Sequence, residues 1–145
     1  ILMGDFNSVD KDFPHPFNTI LFKGENALFD VHGLVKKSKD VSREKKNALP
    51  LGTEFFEPEM SWSYLDRFFV TKNLSGNQGL VVDLNSYDIF RTKEMITSHE
   101  YIDPAYSTFG SLVRGVPLRC DHNANNATDM GYSDHFPITM KLEIK

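Results

Sequence analysis

The stretch SDHFPITMKLEIK (Ser133–Lys145) carries the plainest structural signal in the chain. From Phe136 the apolar residues fall at Phe136, Ile138, Met140, Leu142 and Ile144. Pro137, Thr139, Lys141, Glu143 and Lys145 sit between them. Strict alternation of this kind predicts a half-buried strand, because successive side chains on a strand point to opposite faces. Pro137 has no N–H to give to a ladder, which suits the first residue of a strand or an edge. Two chemically capable residues, Asp134 and His135, stand at the mouth of this strand.

Working outward, two other strand-like segments also carry polar residues at an end. ILMGDFNS (residues 1–8) begins apolar, and Ile1–Met3 reads as the end of a buried strand. Asp5 and Asn7 follow, two apart, so an extended backbone would aim both to one face. The same spacing also occurs in Asx-turns. In SYLDRFFV (residues 63–70) a single carboxylate, Asp66, is embedded among strand-forming residues. It has an adjacent cation to pair with in Arg67.

Together these three clusters hold carboxylates, an amide and a histidine. Such groups suit metal-assisted hydrolysis. Oxygen ligands hold a hard cation such as Mg²⁺. A carboxylate orients or deprotonates a water, and a histidine fixed by a second carboxylate donates to a phosphoryl oxygen.

The rest of the chain sets bounds. Its 145 residues make one domain, and 40% hydrophobic residues, 12 Phe among them, suffice for a core. The net charge of −4 does not mark a general polyanion binder. A single cysteine, Cys120, excludes an internal disulfide and a multi-cysteine zinc site. No apolar run is long enough to span a membrane. The chain begins at Ile1 rather than Met, which leaves room for an upstream segment. No internal repeat or two-domain split is visible.

Asn18–Asp30 has room for a short helix weakened by Gly24. Lys36–Lys46, with six Lys and Arg against two acidic residues, reads as a solvated loop or a phosphate contact. Thr53–Phe56 and Tyr64–Val70 read as strands, Asn73–Gly79 as a turn, and Leu80–Leu84 as a short apolar run. Pro104–Ser111 and Asn123–Tyr132 read as loops. The coarse class is mixed α/β. Asp121 and His122 precede an Asn-rich loop and read as surface. His15, His32 and His99 lack a partner at metal-ligand spacing and read as structural or exposed. Cys120 shows no sign of a nucleophile. Trp62, Tyr64, Phe68 and Phe69 read as core. Asn73-Leu74-Ser75 and Asn126-Ala127-Thr128 match glycosylation acceptors, which matter only in a secreted eukaryotic protein.

GDFN (4–7), YLDRFFV (64–70) and SDHFPI (133–138), in this order, resemble the motif set of the endonuclease/exonuclease/phosphatase superfamily, the DNase I-like proteins. LFDVHGLV (28–35) and GTEFF…SWSYLDRFF (52–69) resemble the stretches that accompany those motifs. The resemblance implies that residues 1–145 are the C-terminal portion of one such domain. Its N-terminal half, with a metal-binding Glu, would be absent. The implied fold is half of a four-layer α/β sandwich: one mostly antiparallel or mixed sheet with covering helices. Alone it would expose an apolar face, inviting self-association.

The resemblance also implies roles. Asp5 would activate or align water, and Asn7 would hold the phosphoryl group or that water. His135 would stabilise phosphoryl oxygens and Asp66 would fix His135. Asp134 would adjoin the metal, Mg²⁺ or Mn²⁺. The implied activity is a phosphodiesterase or nuclease acting on a phosphate ester, nucleic acid included, with the fragment inactive alone. A phospholipid or sugar-phosphate phosphoesterase is one alternative. A non-catalytic interaction module lacking the metal-binding Glu is another.

Overall fold

The computed structural model describes residues 1–9, 12–102, 112–120 and 131–145. It is mostly strands, grouped into several antiparallel sheets, with short helices. The central sheet orders β1 (Leu2–Asp5), β5 (Asp66–Thr71) and β2 (Leu28–Asp30) as β1-β5-β2. The central strand, β5, is buried on both faces. Phe68 and Val70 enter the main core with Val31, Val35, Tyr87 and Phe136. On the opposite face Phe69 meets the rings of Phe6, Phe17 and Phe22. A strand buried on both sides reads as a continuous apolar run, which is what FFV supplies.

A hairpin of β3 (Glu54–Phe56) and β4 (Ser61–Ser63) precedes β5. β6 (Leu80–Ile89) pairs with β9 (Ile138–Ile144), and its register shifts between Asp83 and Asp88. β7 (Tyr101–Ile102) pairs with β8 (Leu112–Val113).

Helix α1 (Val31–Lys37) lies over the core. Asp30 caps it by accepting from the His32 N–H at 3.1 Å. Val31 and Val35, four apart on one face, are fully buried. Each contributes about 1.5–3 kcal/mol through that burial.

Several expectations change. The helix expected in Asn18–Asp30 reduces to a π-helical turn, Phe17–Leu21. Gly24 then turns at φ +80° and the chain enters β2. Lys36–Lys46 is not one loop: it ends α1 and begins α2 (Arg43–Ala48), capped by the Ser42 hydroxyl. The run at Leu80 continues to Ile89: the register shifts between Asp83 and Asp88, and the strand carries on past the polar residues Asp83, Asn85 and Ser86. One sheet was expected, yet the pairings fall into several.

Ile1–Met3 does enter a strand, but that strand is exposed rather than buried, with Met3 at 69%. β1 is the edge of its sheet, and no described residue covers that end. β9 keeps its alternation only at its start. Ile138 and Met140 pack on the core while Ile144 is 88% exposed. Pro104–Ser111, Asp121 with His122, Asn126-Ala127-Thr128 and most of Asn123–Tyr132 lie outside the described residues.

Candidate active site

The site assembles where three strand ends meet. β1 and β5 run antiparallel with Asp5 directly opposite Asp66. The pairing extends one step further, since the Phe6 N–H donates to the Leu65 carbonyl at 2.9 Å. There the chain turns: Asn7 takes φ +47°, in the left-handed region that Asn tolerates. Its N–H donates to Asp5 Oδ1 at 2.8 Å and its side-chain amide to Asp5 Oδ2 at 3.2 Å. Asp5 and Asn7 therefore meet through an Asx-turn, not along an extended backbone. The turn leaves the second amide hydrogen of Asn7 for another acceptor.

His135 arrives from the far end of the chain. Its main chain forms an isolated antiparallel bridge with Glu54. The Phe136 N–H donates to the Thr53 carbonyl at 2.8 Å. Thr53 is fully buried, and its hydroxyl accepts from the N–H groups of Leu65 and Asp66 at 3.2 Å each. One side chain thus ties the start of β5 to the strand that receives His135. The outcome is a side-chain pair: His135 Nδ1 lies 2.7 Å from Asp66 Oδ2. Carboxylate contact at Nδ1 fixes the ring and leaves Nε2 as its other hydrogen-bonding nitrogen.

Burial lowers the pKa of His135. The Asp66 hydrogen bond and the charges of Asp66, Asp134 and Asp5 outweigh it and hold the imidazole above its ordinary value. Asp66 does not pair with Arg67, its neighbour in sequence. Adjacent strand residues point to opposite faces, and Arg67 turns away to Asp30 at 2.9 Å.

A cavity of ≈ 410 Å³ opens beside this pair, lined by Asn7, Glu54, Ser61, Ser63, Asp134 and His135 among others. Asp134 is exposed at its rim. Sequence reasoning missed Glu54, Thr53 and Arg119. Burial raises the pKa of Glu54, opposed by His135 and Arg119 and reinforced by Asp134 and Asp5. Arg119 Nη2 lies 3.6 Å from Glu54 Oε1 and donates to the Phe55 carbonyl at 2.7 Å. The available signal was a Glu between Thr53 and Phe55 in a strand otherwise fit for burial.

The remaining candidates fall elsewhere. His32 stacks on Tyr64 with centroids 4.0 Å apart, His15 meets Phe17, and His99 meets Tyr101. Cys120 is exposed. In the basic stretch Lys46 donates to the Ser38 carbonyl and Lys45 lies 3.6 Å from Asp88.

Among the described residues no group of three or more His, Cys, Asp and Glu side chains is arranged to hold a metal ion. A Mg²⁺ or Mn²⁺ at Asp134 would need oxygen donors beyond those grouped among the described residues. No helix among the described residues is long and apolar enough to cross a membrane. No family model matches the chain, and no curated protein or solved structure matches it.

Proposed function

We propose that this chain carries the acid–base part of a phosphoesterase site, acting on phosphodiesters and most readily on nucleic acid. The observation that carries the reading is the His135–Asp66 pair at 2.7 Å, with His135, Asn7 and Asp134 facing one cavity. The three-motif resemblance supports it. On the same reading, the antiparallel sheets and helix α1 belong to the C-terminal half of a four-layer sandwich, in which exposed β1 would be covered.

In hydrolysis a water oxygen bonds to phosphorus as an ester P–O bond breaks, and the departing oxygen takes a proton from solvent, matching the one the attacking water gives up. Protonated His135, held by Asp66, would donate to a phosphoryl oxygen as negative charge develops there. Asn7, fixed by Asp5, would offer its remaining amide hydrogen to the phosphoryl group. Asp5, at the exposed turn, would align the attacking water and take its proton. A divalent cation would neutralise phosphoryl charge. No set of ligands for it is grouped among the described residues.

The test is turnover by this chain together with the N-terminal half that the reading requires, with Mg²⁺ or Mn²⁺, on bis(p-nitrophenyl) phosphate, p-nitrophenyl phosphate, single- and double-stranded DNA, and phospholipid vesicles. Expected is phosphodiester cleavage that falls about 10²–10³-fold in His135→Ala, the loss typical of one preorganised donor. Preference for vesicles or for the monoester would move the substrate to the lipid or sugar-phosphate class. No turnover on any of them overturns the reading and favours a non-catalytic module; full activity in His135→Ala overturns it too, by removing His135 from the reaction.

A further inference from the structure

The β3–β4 hairpin has two unlike faces. Register places Glu54 opposite Ser63, Phe55 opposite Trp62 and Phe56 opposite Ser61. Phe55 and Trp62 turn inward, their rings 5.3 Å apart, and Trp62 stacks on Phe136. Glu54, Phe56, Ser61 and Ser63 share the other face, and all four line the cavity that holds Asp134 and His135. Phe56 is 43% exposed, although its neighbour Phe55 is 1% exposed. An exposed ring beside two hydroxyls and a carboxylate is a platform with hydrogen-bonding groups at its edge. The wall continues past Glu59 and Ser61 into a second groove, ≈ 280 Å³, at Trp62 and Tyr64.

Charge narrows the occupant. No Lys or Arg is among the described residues lining the His135 cavity, while Glu54, Glu59 and Asp134 are. Protonated His135 can hold one phosphate there, but a run of phosphates has no further partners on this lining, because backbone tracking requires several cations. A flat neutral ring with N–H donors does fit. It can stack on Phe56 and donate its exocyclic amine to a carboxylate, as bases do on aromatic platforms.

From this wall we infer that Phe56 is a specificity-determining residue that stacks one unpaired nucleobase next to the phosphoester held at His135. This rests on the phosphoesterase reading and narrows its substrate to single-stranded or locally opened nucleic acid.

The test uses the full chain carrying His135→Ala, to suppress cleavage, and a short single-stranded oligonucleotide containing 2-aminopurine. Stacking quenches its fluorescence. Expected is quenching on binding, with affinity falling about tenfold in Phe56→Ala and kept in Phe56→Trp. An abasic oligonucleotide of equal length should bind weakly, and with the same affinity whether or not the chain carries Phe56→Ala. Phe56 is a partly exposed surface residue, and circular dichroism checks that the variants are folded. Equal affinity for abasic and base-containing strands, unchanged affinity in Phe56→Ala, or preference for intact duplex overturns the inference. Phe56-dependent binding without turnover once the unsubstituted chain is joined by the N-terminal half would sink the hydrolase reading and leave base stacking standing. Turnover with Phe56-independent binding would do the reverse.

Discussion

The main-chain N–H of Phe136 donates to the carbonyl of Thr53 at 2.8 Å. Through that bond the segment carrying His135 is held against the strand whose Thr53 hydroxyl also holds Asp66. The His135–Asp66 pairing is thus set by a buried threonine that touches neither side chain's working atoms.

Thr53→Val keeps the volume and removes the hydroxyl. The N–H groups of Leu65 and Asp66 then lose their acceptor. We expect a loss of about 1–3 kcal/mol, the cost of leaving a buried donor unsatisfied. Urea unfolding of the two proteins measures it, and equal midpoints would show that the hydroxyl does not hold the start of β5.

Asp66→Asn should lower the pKa of His135. Removing the negative partner leaves burial as the dominant influence, and burial favours the neutral ring. In the unsubstituted protein the raised value stabilises the fold below the ordinary 6.5 and loses that contribution as pH rises through the folded value. The variant should lack this fall above the ordinary value. An NMR titration of the His135 ring gives the answer directly, and an unmoved midpoint would count against the pairing.

Arg67 and Asp30 form a buried ion pair at 2.9 Å, their side chains 8% and 14% exposed. Arg67 also donates from Nε to the Tyr64 carbonyl and lies over the Phe17 ring. Asp30→Ala leaves that guanidinium without its buried carboxylate and uncaps α1. The expected cost is about 3–5 kcal/mol for the broken pair. Thermal unfolding measures it, and a loss below about 1 kcal/mol would mean that water replaces the carboxylate.

Tyr64 donates its hydroxyl to the Pro50 carbonyl at 2.7 Å, and burial pushes its pKa from 10.0 to about 12. In the unfolded chain it ionises first, so stability should fall as pH rises across that interval. Tyr64→Phe removes this contribution. Urea midpoints measured from about pH 9 to 12 should decline less steeply in the variant; parallel curves would contradict the assignment.

Exposed Leu2 and Met3 on an edge strand present both an apolar surface and free backbone groups, a template for pairing with a second copy. Sedimentation velocity should show concentration-dependent association of the full chain. The double substitution Leu2→Lys, Met3→Lys should abolish it. A monomer at all concentrations would show that the strand is protected by other means.

Local patterns were legible from the chain alone: the alternation of β9, the β5 segment FFV, the turn at Asn73–Gly79, and the polar residues at three strand ends. These depend on side-chain period and turn chemistry, which neighbouring residues decide. Burial was not legible. Ile1–Met3 and Ile144 are as apolar as Val70, yet they stay exposed, because burial depends on what the rest of the fold brings over them. The partners of Asp66 and Arg67 were equally hidden. Adjacency offered them to each other, but the strand pleat sent one to His135 and the other to Asp30. Glu54 and Thr53 entered the site only when the C-terminal segment carrying His135 met β3, a contact between segments too distant in sequence for any local pattern to encode.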